Sequence, residues 1–185
     1  MALFRKQQPE EPLAVTIAAV KLRNRLLAIG LQDTRLIAVL AAKAGLTGRA
    51  CGVDADADRA TRAAVAIERE GVLAEVTTAP WDRLPYEDGS FDVAVIGGVL
   101  MTLGDAARRA AASEILRVLR PGGRALVIEP APRGGFGGLF HREPIDPSYA
   151  SSGGAVTSLS AAGFAAVREL AERGGTRYVE GIKKG

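Results

Sequence analysis

The chain has 185 residues, a net charge of +3 and a pI of about 9.3. With 48% hydrophobic residues and only 5% aromatics, it excludes bulk disorder and calls for a core of Ala, Val, Leu and Ile, as in a parallel sheet buried on both faces. Cys51 is the single cysteine, which rules out a disulfide framework or a multi-cysteine metal site within one chain and suits a reducing cytoplasm.

Residues 1–12 read as a polar leader without a signal-peptide core, followed by one domain over 13–185. Leu13 to Leu22 has a helical pattern. Arg25 to Ile29 is a first strand closed by Gly30. Asp33 caps a helix from Thr34 to Ala44, with Leu36, Ile37, Val39 and Leu40 inward and Gly45 as the stop. Arg49 to Asp54 is a second strand. A helix from Ala57 to Gly71 turns Ala64, Val65 and Ile67 inward, and Leu73 to Thr78 is a third strand.

A turn-rich link, Trp81 to Ser90, leads to a fourth strand from Phe91 to Gly97. Asp105 starts and caps a helix that runs to Arg120 and stops at Pro121-Gly122-Gly123. Arg124 to Glu129 is a fifth strand. Pro130 to Gly154, rich in Gly, Pro and Ser, reads as a loop. A short helix follows over Ala155 to Ala162. Phe164 to Glu172 and Thr176 to Ile182 form an antiparallel hairpin across Arg173-Gly174-Gly175. Alternating strands and helices give an α/β fold, a mostly parallel sheet with helices on both faces and an antiparallel closing hairpin at the edge. Arginines are scattered over the helices, where solvated faces account for them, and no basic stripe with stacking aromatics supports nucleic-acid binding.

In such sheets a ligand sits outside the carboxyl ends of the strands, at the switch point in strand order. Asp54 ends the second strand, where an acid can hold ribose hydroxyls. A strand-end Asp is as readily a turn cap.

Two segments carry a more specific signal: Leu84-Pro85-Tyr86-Glu87-Asp88-Gly89-Ser90-Phe91-Asp92, and Leu119-Arg120-Pro121-Gly122-Gly123-Arg124 running into Leu126-Val127-Ile128-Glu129. Together they resemble class I S-adenosylmethionine-dependent methyltransferases, in particular the small-molecule subgroup that includes quinone-biosynthesis enzymes. The resemblance spans Arg25 to the C-terminus. It implies a Rossmann-like, seven-stranded fold with one antiparallel strand in the closing hairpin, and S-adenosylmethionine as cofactor. It implies cofactor contacts at Gly30, Gln32, Thr34, Asp54, Ala55, Ala79, Pro80, Trp81 and Gly97. It also implies an acceptor side at Gly97 to Leu100 and under the loop from Pro130 to Gly154.

The chain departs from the family within that set. The family's acid-x-Gly-x-Gly-x-Gly is Ala28-Ile29-Gly30-Leu31-Gln32-Asp33-Thr34 here, so the acid and two glycines are gone. Those glycines let the backbone approach the ligand and take positive φ, where another residue costs roughly 1–2 kcal/mol. The missing carboxylate removes a charge-assisted contact to the methionine end. Pro80 replaces the acid that meets adenine, and Trp81 either stacks on adenine or packs beneath a loop.

Other candidates are few. His141, the sole histidine, is either a loop base or solvated. Asp105, Glu129 and Tyr149 are candidates for the substrate side, and Cys51 is read as a buried small hydrophobe. The apolar stretch Gly134 to Phe140 covers a ligand, meets a partner or membrane, or folds back on the domain. Three functions follow: methyl transfer to a small molecule, an inactive methyltransferase-like binding or assembly module with a lost or altered cofactor site, and a nicotinamide-dependent reductase. The last lacks a G-x-G-x-x-G and conflicts with the terminal hairpin.

Overall fold

The computed structural model describes residues 12–131 and 145–185. Seven strands form one sheet: β1 (Arg25–Ile29), β2 (Arg49–Asp54), β3 (Glu75–Thr78), β4 (Phe91–Gly97), β5 (Leu119–Pro130), β6 (Ala165–Arg173) and β7 (Thr176–Ile182). Their order is β3-β2-β1-β4-β5-β7-β6, so the order reverses between β1 and β4. All pairings are parallel except those of β7, which runs antiparallel to both β5 and β6. The expected hairpin therefore forms the edge, with its antiparallel strand inserted second from the border.

Among the described residues, six α-helices cover the sheet: α1 (Leu13–Ala18), α2 (Thr34–Ala44), α3 (Ala57–Arg69), α4 (Asp105–Val118), α5 (Pro147–Ser151) and α6 (Gly154–Ala162). Successive residues of a strand face opposite layers. Leu26 and Ala28 of β1 pack with α1, α2 and α3, while Leu27 and Ile29 join the core shared with α4 and α6. Burial on both faces explains why β1, β4 and the Ala125–Ile128 part of β5 read as almost unbroken apolar runs. Cys51 lies in this core at 1% exposure, and burial pushes its thiol up to about 11.

The caps on α2 and α3 follow local chemistry. Asp33 accepts from the Leu36 N–H at 2.9 Å, and Asp56 from the Arg59 N–H at 2.9 Å. Several expectations need correction. α1 ends at Ala18 because Ala19 turns left-handed (φ 46°). Asp105 does not cap α4. Gly104 occupies that place, and Asp105 sits in the first turn, paired with Arg109. The inward face of α3 is Ala60, Ala63 and Ile67, with Val65 exposed. α4 stops at Val118, and β5 starts early because Gly122 and Gly123 exchange backbone hydrogen bonds with Lys183. α5 lies inside the expected loop, started by Asp146, whose carboxylate accepts from the Ser148 N–H, and by Pro147. Arg108 is not a solvated helix arginine: it is 2% exposed.

The two segments that carry the family resemblance meet at one side chain. Arg117 of α4 donates to the carbonyls of Leu84 (3.1 Å) and Tyr86 (2.8 Å) and to Asp88 (2.7 Å). It also forks onto Glu114 (2.8 Å), whose carboxylate accepts from the Leu84 N–H. Gly89, at φ +67°, closes the link by donating to the Arg117 carbonyl.

Candidate functional site

A cavity of about 680 Å³ opens at the carboxyl ends of β1, β4 and β5, at the point where strand order reverses. Its floor is apolar: Ala28, Leu36, Ile37, Val95, Met101 and Ile128. One rim carries Gly30, Gln32, Asp33 and Thr34 with Arg59 and Arg62 of α3. The opposite rim carries Glu129, Pro130, Gly175 and Thr176.

Gly30 is required here. Its φ is +82°, and a Cβ would stand 2.5 Å from the Gly97 carbonyl oxygen and 2.7 Å from Val99. The loops after β1 and β4 thus approach so closely that no side chain fits between them. Gln32 and Thr34 also line the cavity, and the Gln32 Oε1 reaches toward Gly30. Gly97 and Gly98 form the wall across from them, while Val99 and Leu100 turn into the core.

The remaining sequence candidates stand back. Asp54 is 0% exposed and absent from the wall. Its Oδ2 accepts from the Leu31 N–H at 2.9 Å and faces the Arg59 Nε at 2.9 Å, while Oδ1 accepts from the Asp56 N–H at 2.9 Å. Ala55 and Pro80 are exposed outside the cavity, and buried Ala79 donates its N–H to the Asp54 carbonyl. Trp81 is half-buried and packs on the core beneath its loop. His141 and the Gly134 to Phe140 stretch lie outside the described residues.

At the far rim, side chains from four elements converge. The Tyr149 hydroxyl of α5 donates to Glu129 Oε2, and Arg177 of β7 holds Oε1 through Nε at 3.0 Å and Nη2 at 2.8 Å. Arg108 of α4 lies 5.2 Å from the Tyr149 ring centre and donates to the Leu103 carbonyl and to Ser148. Burial raises the Glu129 carboxyl, with Tyr149 and Arg177 pulling against it. Burial and the Glu129 charge push the Tyr149 hydroxyl well above the phenolic range. Both carboxylate oxygens are engaged by residues from separate elements, so the cluster acts as a clamp among β5, β7 and α5. No group of His, Cys, Asp and Glu able to hold a metal occurs among the described residues.

A family model for the methyltransferase domain matches residues 27–127. The chain belongs to the methyltransferase family. A S-adenosylmethionine-dependent methyltransferase from Aquifex aeolicus shares its fold (TM-score 0.74, 16% identity, 92% of this chain and 88% of that one). So does the YcgJ protein of Bacillus subtilis (0.69, 16%, 94% and 97%). The 4+2 cyclase SpnF is similar in fold as well (0.69, 19%, 93% and 78%). An uncharacterised 37.1 kDa protein of a Streptomyces fradiae transposon is 36% identical over 94 residues, 51% of this chain. The chain spans about a quarter of that relative's length (26%).

The methyltransferase frame is thus present, but the β1–β2 end does not present the carboxylates that the family resemblance implies. Ala28 has no carboxylate for the methionine end, and the Asp54 carboxylate is engaged on both oxygens. Sequence reasoning missed Arg59, Arg62, Met101, Thr102, Gly175 and Thr176 as cavity residues. A signal existed for Arg59: it lies in the first turn of α3, directly after the β2 end, and that turn faces the ligand end of the sheet. Nothing in the sequence pointed to the β6–β7 turn, which arrives through a backbone bond from the Ala131 N–H to the Gly175 carbonyl.

Proposed function

We propose that this methyltransferase-family chain is a small-molecule binding protein that does not use S-adenosylmethionine in the family's manner. The observation that carries the reading is that neither carboxylate expected at the β1–β2 end reaches the cavity: position 28 is alanine, and Asp54 is 0% exposed. The cavity keeps an apolar floor and ample volume for a small molecule. Fold likeness to the 4+2 cyclase SpnF is compatible with this, since one frame hosts several chemistries. Among the described residues no helix is long and apolar enough to cross a membrane.

Calorimetric titration with S-adenosylmethionine and S-adenosylhomocysteine tests the reading. It expects no binding up to millimolar ligand. A Kd in the micromolar range, roughly −8 kcal/mol, overturns it. Installing Ala28→Asp, Gln32→Gly and Thr34→Gly together then asks whether the loop alone accounts for the loss.

A second reading is methyl transfer to a small-molecule acceptor. It draws on the retained close approach of Gly30 and Gly97 at the switch point, which keeps the cavity open beside the β4 end. Micromolar binding in the same titration favours it.

A further inference from the structure

We propose that Arg59 decides what this cavity admits, because its guanidinium stands on Asp54 in the place that a nucleoside's vicinal diol would take. The inference rests on the reading above and names the side chain responsible.

Two backbone N–H groups, those of Leu31 and Asp56, fix the Asp54 carboxylate at the β2 end, one on each oxygen. Such preorientation is what a diol-binding acid needs, and it persists here. What differs is the third partner. The Arg59 Nε lies 2.9 Å from Oδ2, and its Nη2 is 3.9 Å from Asp56. Arg59 lines the cavity while Asp54 does not, and its Nε rests on the buried acid, so the Arg59 side chain bridges the acid and the ligand space. Its side chain is 24% exposed against 0% for Asp54.

The Arg59 Nε stands at ion-pair distance from Asp54 Oδ2 without the alignment of a hydrogen bond, so what it brings to the buried acid is a full charge. A neutral diol must therefore displace a buried ion pair to reach Asp54. It does so only if the departing guanidinium is satisfied elsewhere and the rest of the ligand binds strongly. With Ala28 giving nothing to an amino-acid tail, the second condition fails. The Glu129 carboxylate differs: Arg177 and Tyr149 hold it from two separate elements, so removing one partner does not open it.

The test uses the full chain with adenosine and 2′,3′-dideoxyadenosine as probes, read by calorimetry. The wild-type chain is expected to show no preference between them. Arg59→Ala is expected to bind adenosine at least about ten-fold more tightly than wild type, with no gain for the dideoxy probe. Arg59→Gln keeps an amide donor near Asp54, so it preserves folding if the alanine variant does not, and should give a smaller gain of the same kind. A folded Arg59 variant without a diol-dependent gain overturns the proposal. So does a wild-type chain that already prefers adenosine by ten-fold, whatever the variants do. Micromolar S-adenosylmethionine binding by wild type would instead sink the functional reading. A silent Arg59 variant leaves that reading standing.

Discussion

Arg117 and Arg59 are both helix arginines set against carboxylates, yet they do opposite things. Arg117 spends its donors on Glu114, Asp88 and two carbonyls of the link before β4, and it does not line the cavity. Arg59 faces one buried carboxylate and borders the ligand space. The first ties together the segments that make the chain legible as a methyltransferase. The second changes what such a chain offers a ligand. Family frame and family chemistry are thus held by different side chains, and one can persist while the other goes.

The largest test of this division is Arg117→Ala. It strands Glu114 and two carbonyls, and should lower stability by on the order of 3 kcal/mol in urea unfolding. Arg117→Lys should recover little, since an ammonium cannot reproduce the planar fork. A loss below about 1 kcal/mol would show that Arg117 is not a clamp.

Next is Gly30→Ala. With φ at +82° and the Gly97 oxygen 2.5 Å from the added Cβ, it should cost roughly 2–3 kcal/mol and close the loops' approach. A stable variant with unchanged thermal melting would mean the two loops are free to part.

The pH profile gives a smaller effect. The hydrogen bond from Arg117 holds the Glu114 carboxyl below its ordinary value of 4.5. A lowered folded pKa means that the ionised pair adds stability above 4.5 and loses it as pH falls through the folded value. Glu114→Gln should therefore flatten the acid side of the stability curve and leave its neutral-to-basic slope alone. An unaltered acid limb would assign that slope to other carboxylates, such as Asp92, which Arg120 and the Arg25 N–H also hold low against a burial penalty.

The smallest expected effect is at Arg62. It borders the cavity beside Arg59 but is exposed. Arg62→Ala should change stability by less than about 0.5 kcal/mol and give no gain in adenosine binding. If it matched Arg59→Ala, the two arginines would act by general charge and not by contact with Asp54.

Most strands were legible because burial on both faces writes apolar runs, as in Leu26 to Ile29 and Val93 to Ile96. The cap at Asp33 fixed one helix start, while the Asp56 cap of α3 emerged only with the fold. Asp105 misled because an acid at a helix start serves equally well in the first turn, where it meets Arg109. Val65 misled because α3 is rich in alanine, and small residues blur which face is inward. The Asp146-Pro147 start of α5 went unread, because it lies in a stretch rich in Gly, Pro and Ser. At the site, the altered loop was readable from residue types alone. The pairing of Asp54 with Arg59 was not, because two residues five apart meet only when a strand end and a helix start fold across one turn. The Glu129 clamp draws on positions 108, 129, 149 and 177, whose convergence only the folded chain reveals.

Cys51 provides a stopwatch on the same strand that carries Asp54. Its sulfur is sealed in the core and reluctant to ionise, so an alkylating reagent can consume it only when β2 comes away from its neighbours. The pace of iodoacetamide labelling then counts those departures. A ligand that grips the end of β2 must slow the count, and one that sits elsewhere in the protein without stabilising that strand must leave it running.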